Sequence, residues 1–478
     1  MNKEGTSSGR KASAPELLLR VDRDASEPLR AQLEQELRAA IRAGRLEAGA
    51  PLPSTRALAA DLGLSRGIVV DAYEQLLAEG YLIARQGSAT SVAEGRVITE
   101  RAEPQRSAKP APQSAAVPIR YDFRPAVPDT STFPRRAWHK SLRKVLATAA
   151  AGTMGYPDPL GTSAARSALS AYTNRARGTS AHPDRMLVCN GFTQGFRLTC
   201  TVLRRLGIEA VATEDPSHEE QREAVRDAGL KCVPVPVDED GLIVERLEKS
   251  AARAVLVTPA HQYPTGAVMS PERRAALLDW ATRKQAFIIE DDYDAEFRYD
   301  REPIGALQGI APERVVYIGS ASKTLAPALR LGWVVTPEGL VEEFARVKKR
   351  EDRGSASLEQ LAFADFIERG ELDRHLRRMR RIYRGRRDTL VTALRNHLPK
   401  RRVFGIAAGL HLMLELPSGA DESEVVAAAR KLSVNVTGTQ EYRGRTRLPP
   451  SLILGYGVLR DSAVAEGVRR LASVVERR

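Results

Sequence analysis

Lys323 lies in Gly319-Ser-Ala-Ser-Lys323, after an apolar strand candidate, and Arg330 follows it at the end of Thr324-Leu-Ala-Pro-Ala-Leu-Arg330. Upstream, Ile289-Glu-Asp-Asp-Tyr-Asp294 puts Asp291 at the end of another strand candidate, with Tyr293 two positions on. Pyridoxal 5'-phosphate asks a protein for a lysine to condense with its aldehyde, an acid at the pyridine nitrogen, donors for the phosphate and walls for the ring. Each has a candidate here. Lys323 would form the Schiff base, and Asp291 would keep the ring nitrogen protonated and the ring an electron sink. Tyr293 would hydrogen-bond the ring hydroxyl, while Arg330, Ser320 and Ser322 would grip the phosphate. Thr193 and Gln194, in Gly191-Phe-Thr-Gln194, follow a strand and open a helix whose N-terminal amides suit the same phosphate. Singly, these residues are ordinary. A lysine after a strand is usually a surface lysine, and Asp291, Asp292 and Asp294 would also make a solvated turn or a magnesium site. No P-loop accompanies the acids, and the ordered set is what points to the cofactor.

The elements that must position this set alternate. Helical stretches separate the short apolar runs Met186–Cys189, Ala210–Thr213, Cys232–Val237, Ala254–Thr258, Ala286–Glu290 and Val315–Ile318, the pattern of an α/β domain with a mostly parallel sheet. Beyond about Leu340 the chain is helix-rich and closes on strand-like Leu410–Leu416 and Leu452–Tyr456, which predicts a smaller α+β domain. The candidates lie at the carboxyl ends of strands, where open α/β sheets build their sites.

The first hundred residues have a different grammar. Pro28 opens a helix with Leu33, Leu37 and Ile41 on one face; Ser54 caps a second that Gly63 ends; Ser65 caps a third that runs to Gly80. Tyr81–Arg85 and Ala89–Val92 then read as a hairpin around Gln86-Gly-Ser88, so the segment is a winged helix-turn-helix. In that motif the start of the second motif helix enters the major groove. Ser65 and Arg66 stand there, and Arg66 can make the bidentate contact of arginine with guanine. Arg56 is placed for phosphate or base contact, and Gly87 and Ser88 at the wing tip for the minor groove or phosphates. The implied partner is double-stranded operator DNA; a helical protein-interaction module is the blander alternative.

The chain of 478 residues is long for one core, and 42% hydrophobic with 28% charged residues fits a soluble globular protein. Residues 1–15 read as a disordered tail, 16–93 as the DNA-binding domain, 94–120 as a Pro/Ala/Ser-rich linker and 121–478 as the cofactor-binding domain. The net charge of +13 makes an acidic partner plausible, although acids and bases are about balanced over residues 1–93. Much of the excess sits in Arg374–Arg387, read as the solvated or paired face of a long helix. Three cysteines without metal or disulfide spacing, a polar N-terminus and the lack of a membrane-length apolar run predict a cytoplasmic protein.

Residues 16–93 resemble the GntR-type winged helix through Leu52-Pro-Ser, Leu62-Gly-Leu-Ser-Arg66, Ala72-Tyr73 and Glu79-Gly80. They depart at Gly67-Ile68, usually polar, and at the wing, Gly87-Ser-Ala-Thr90, usually Gly-x-Gly-Thr. The cofactor motifs are similar to those of fold-type I aminotransferases. With Asp122-Phe-Arg-Pro125, Phe133-Pro-Arg-Arg-Ala-Trp138, Gly155-Tyr-Pro-Asp-Pro-Leu-Gly161, Pro259-Ala-His-Gln-Tyr-Pro-Thr-Gly266 and Ala408-Gly-Leu-His411, the chain from residue 16 on resembles the MocR-type subfamily of GntR regulators. The resemblance implies a large α/β and a small α+β domain, a Schiff base on Lys323, and a head-to-tail homodimer in which Tyr156 reaches the partner's phosphate. It also puts His218, in Glu214-Asp-Pro-Ser-His218, where a tyrosine often stacks on the ring. One departure bears on chemistry: Ile453 stands where aminotransferases commonly carry the substrate-carboxylate arginine, with Arg443, Arg445 and Arg447 upstream. The expectation is a regulator sensing an amine, an amino acid or the cofactor itself. The alternative is a working aminotransferase with an accessory DNA-binding domain, for which the missing arginine predicts at most partial transamination.

Overall fold

The computed structural model describes residues 19–84, 89–94, 118–300, 304–405, 408–446 and 448–476, and the chain divides into two compact units between Ala116 and Val117.

In the first unit the apolar periodicity becomes three helices, Leu29–Arg42, Thr55–Leu62 and Arg66–Ala78. Leu33, Leu37 and Ile41 are buried with Val69, Ala72, Tyr73 and Leu76 in one small core. The Ser54 hydroxyl accepts from Ala57 N at 3.2 Å, closing the start of the second helix. Gly63 ends that helix at φ +62°, a left-handed turn that a side chain would strain. Ser65 occupies the N-cap of the third helix without making a cap hydrogen bond, so its hydroxyl stays available. Leu82–Ile83 pairs antiparallel with Ser91–Val92, a shorter ladder than the sequence suggested. Leu37 is fully buried at the helix crossing. Leu37→Ala is expected to cost ~2–5 kcal/mol, measured as a lowered denaturation midpoint; an unchanged midpoint would mean that the helices do not pack through this residue.

The second unit is built on an eight-stranded sheet in the order Met186–Cys189, Gly332–Val335, Val315–Ser320, Phe287–Asp292, Ala254–Val257, Ala210–Asp215, Lys231–Asp238, Gly241–Leu242. Its central strands are buried almost throughout and begin as apolar runs, as strands covered on both faces do. The strands from Val315–Ser320 to Lys231–Asp238 are parallel, so their acid- and serine-bearing ends reach one edge together. Gly332–Val335 was not predicted. It runs antiparallel between two neighbours, and so delivers its beginning, and Arg330 just before it, to that same edge. A Cβ on Gly332 would lie 2.7 Å from Gly191 Cα, which is why the strand can start so close to the helix-opening loop.

A smaller antiparallel sheet, Val403–Phe404, His411–Glu415, Ser451–Gly455 and Thr437–Gly438, packs with helices Glu371–His397, Glu422–Lys431 and Asp461–Val475. Tyr121–Asp122 pairs in parallel with Val434–Asn435, so the small domain includes the first residues after the linker as well as the C-terminal third. In the long helix, Arg374, Arg377, Arg378, Arg381 and Arg384 are exposed, while Arg386 is buried against Asp129 at 2.7 Å. The basic run is therefore largely a solvated face, with Arg374 and Arg387 paired to Glu371 and Asp388 at the surface and Arg386 in a buried pair. Among the described residues no helix is long and apolar enough to cross a membrane.

Candidate cofactor site and DNA-reading face

The parallel strand ends open into a cavity of about 500 Å³ lined by Lys323, Asp291, Tyr293, Ser320, Ser322, Arg330, Thr193 and His218. Eight of the ten residues singled out for the cofactor thus meet in one place. The other two do not. Gln194 turns its side chain to Asn190 N (2.7 Å) and Asp352 (2.7 Å), bracing the loop instead of facing the cavity. Tyr156 is 85% exposed, with the Arg353 guanidinium 5.5 Å from its ring centroid.

Lys323 sits in the short helix Ala321–Thr324 and makes no hydrogen bond or ion pair with the described residues. Burial lowers its pKa, against the opposing pull of Asp294 and Asp291, which favours the neutral amine that a carbonyl requires. Asp291 is buried, has no hydrogen-bond partner among the described residues, and faces the cavity. Burial, then the neighbouring Asp292 and Asp294, push its carboxyl well above the usual range. Such a carboxyl lacks a cation, and a protonated pyridine nitrogen would supply one. The residues present therefore fit pyridoxal phosphate.

Asp292 faces the other way, with Arg177 Nε at 2.6 Å and Tyr317 Oη at 2.6 Å, all buried. This pair, missed in the sequence because Arg177 is remote in the chain, anchors the strand end that carries Asp291. Tyr293 donates its hydroxyl to the His261 carbonyl at 3.0 Å, and His261 Nδ1 lies 3.0 Å from Asp294. Ser320 Oγ donates to Ser322 Oγ at 2.9 Å, and the Arg330 guanidinium donates to the Asn190 carbonyl. His218 stacks on Tyr263 with centroids 4.2 Å apart at 8°. Burial, then Lys323 and Arg222, lower its pKa to about 4, so the imidazole is neutral and suited to stacking.

Glu214, which the sequence marks only as the start of the motif ending at His218, also lines the cavity. Its Oε2 accepts from Thr258 Oγ1 at 2.5 Å, while Oε1 is buried without a partner. Burial raises its pKa from 4.5 to about 7, against the lowering effect of Thr258 and Gln262. Between those values the folded chain holds a proton that the unfolded chain releases, so this contribution to stability is present at low pH and lost as pH rises through about 7. Glu214→Gln, which keeps the shape without the charge, is expected to gain stability relative to the parent as pH rises from about 5 to about 8. The denaturation midpoints of the two proteins against pH test this; a constant difference would refute it.

In the DNA-reading unit Arg56, Ser65 and Arg66 are exposed, and neither arginine makes an ion pair with the described residues. Arg38, by contrast, is tied to Glu34 (3.0 Å) and Glu79 (2.7 Å). Two cations at the start of adjacent helices, unneutralised by their own fold, are what a phosphate-lined groove requires. The wing-tip residues Gly87 and Ser88 lie outside the described residues.

The molecule thus joins a winged-helix DNA reader to an aminotransferase-type fold. Residues 29–92 match the family described as bacterial regulatory proteins, gntR family, and residues 127–450 match aminotransferase class I and II. The chain is 34% identical over 95% of its length to the probable rhizopine catabolism regulatory protein MocR of Rhizobium meliloti, covering 95% of that protein. It is 32% identical, over 89% of its own length and 91% of the other, to the pyridoxine biosynthesis transcriptional regulator PdxR of Corynebacterium glutamicum. Among solved structures, an archaeal alanine:glyoxylate aminotransferase superposes with a TM-score of 0.69 at 25% identity, over 75% of this chain and 91% of that one. The kynurenine aminotransferase of Pyrococcus horikoshii, solved with PMP, gives 0.69 at 23% identity over the same shares. The chain belongs to the MocR-type, GntR-family transcription regulators.

Proposed function

We propose that this regulator holds pyridoxal phosphate through Lys323, Asp291, Tyr293, Arg330, Ser320, Ser322, Thr193 and His218, and changes its grip on operator DNA when a small amine or amino acid enters the same cavity. The observation that carries the proposal is the convergence on one cavity of a half-buried lysine and a buried aspartate, neither with a hydrogen-bond or ion-pair partner among the described residues. They share a chain with a DNA reader whose Arg56 and Arg66 make no ion pair with the described residues.

The cofactor, when bound, supplies an aldehyde that condenses with primary amines. Lys323 anchors it, Asp291 holds the proton at the ring nitrogen, and Tyr293, fixed by His261, offers its phenol oxygen to the ring hydroxyl. Arg330 and the serines fix the phosphate end. Lys323 would be the group an entering amine competes with for the cofactor, and small-domain closure over the new occupant would bias the DNA-reading units. The protein acts as a homodimer in this reading, with exposed Tyr156 offered to the other subunit's phosphate.

Operator affinity of the cofactor-loaded full chain, measured with and without an amine that alters the cofactor spectrum, tests the coupling. A change in affinity is expected, because an effector shifts an equilibrium only by its differential affinity for the two states. An amine that alters the spectrum and leaves DNA binding untouched would sink it. Similarity to a pyridoxine biosynthesis regulator favours a second reading, in which the cofactor itself is the signal; operator affinity would then respond to the cofactor alone.

A further inference from the structure

The groups that line the cavity beyond the cofactor set carry the wrong charge for an ordinary amino acid. Ile453 is fully buried between Met413 and Thr437 in the small sheet, so no cation comes from that position. Arg443 is bound to Glu422 and, at 2.8 Å, to Thr439 Oγ1. Arg445 does not line the cavity, although its backbone amide holds Asp215 at 2.6 Å; Arg447 lies outside the described residues. Arg124 does line it, but Asp122 grips its guanidinium at 2.6 and 2.8 Å.

Acids stand there instead. Glu220 and Glu441 line the cavity and make no ion pair or hydrogen bond with the described residues. Glu214, 4% exposed, lines the same space, and its Oε1 has no partner among the described residues. Between them the rings of His218, Tyr263 and Tyr442 form one wall: Tyr442 meets His218 edge-on at 5.2 Å and Tyr263 at 5.2 Å. Aromatic faces beside carboxylates make the environment in which ammonium groups bind, because the ring quadrupole and the negative charge act with the same sign.

Resting on the reading of this cavity as an amine-sensing cofactor site, we infer that the effector is an amine with a second cationic group and no need of a carboxylate, a diamine in chemical class. One amino group meets the cofactor's aldehyde. The other lies against the aromatic wall and is neutralised by Glu220 and Glu441. A carboxylate in its place would meet two acids that are exposed and without an ion-pair partner among the described residues, and like charges repel.

The full-length, cofactor-loaded protein is titrated with α,ω-diamines from 1,3-diaminopropane to 1,6-diaminohexane, with 1-aminobutane and with 4-aminobutyrate, reading the cofactor absorbance. At least one diamine is expected to act at about tenfold lower concentration than 1-aminobutane, with 4-aminobutyrate weakest. In the Glu220→Gln, Glu441→Gln double variant, that gap is expected to close while the response to 1-aminobutane stays as in the parent. Equal band intensity before titration establishes that the variant loads cofactor. If 4-aminobutyrate acts most tightly, if no diamine beats 1-aminobutane, or if the preference survives both substitutions, the diamine assignment is wrong and the amine-sensing reading stands. If no amine alters the spectrum of the loaded protein, the amine-sensing reading falls and takes the diamine with it.

Discussion

Lys323→Ala is expected to abolish the visible absorbance band that the purified protein shows when loaded with pyridoxal phosphate. The reason is the lysine's setting. It is the one lysine among the residues that line the cavity, it has no partner among the described residues, and burial lowers its pKa, which favours the neutral form that condenses with an aldehyde. Arg330, Ser320, Ser322 and Asp291 remain in the variant, so it should still take up the cofactor, more weakly, without the linkage. Alanine leaves a small gap at a partly buried site beside the sheet end, so the fold is expected to persist; a circular dichroism spectrum matching the parent's checks this. A band that survives the substitution would place the linkage on another amine. Failure of the folded parent to take up cofactor at all would leave the cavity to some other ligand.

The second large effect belongs to the DNA reader. Arg66→Ala is expected to weaken operator binding by ~10–100-fold, the equivalent of ~1–3 kcal/mol, and to relax the base preference at one position of each half-site. Arg66 opens the second helix of the helix-turn-helix, its guanidinium has no partner among the described residues, and Gly67 beside it has no atom within 4 Å of where a Cβ would be. That leaves an open face at the start of the helix. Arg56→Ala is expected to behave differently: weakening that is uniform across sequences, with a shallower dependence on salt, marks a phosphate contact. Binding isotherms at several salt concentrations separate the two. If Arg66→Ala binds as the parent does, the reading helix enters the groove by another face.

The outline of the fold was legible because its signals are local. Leu33, Leu37 and Ile41 repeat with the helical period, and Ser54 and Gly63 bracket a helix by capping chemistry that needs only near neighbours. The apolar runs of the large sheet announced themselves likewise; Met186–Cys189 has the predicted bounds, and most others extend by one or two residues toward the site. Among the added residues are Glu214, Asp215, Asp291, Asp292 and Ser320, polar groups that apolar periodicity excludes from a strand although they continue its ladder. Gly332–Val335 escaped because four residues behind a loop carry no period of their own, and its direction depends on two distant neighbours.

The sequence by itself determined the residue types on which the cofactor reading rests, since a Schiff-base lysine, a ring-nitrogen acid and a phosphate arginine stand in recognisable order. Only the tertiary structure decided which of them meet. It turned Gln194 away to Asn190 and Asp352, fastened Asp292 to Arg177, brought Tyr121–Asp122 into the small domain, and set Glu220 and Glu441 beside an aromatic wall. Helix periods, caps and motif order act over a few residues and so are written along the chain. Burial, ion pairing and the sign of a cavity's charge act through space between residues up to hundreds of positions apart, and exist only once the chain has folded.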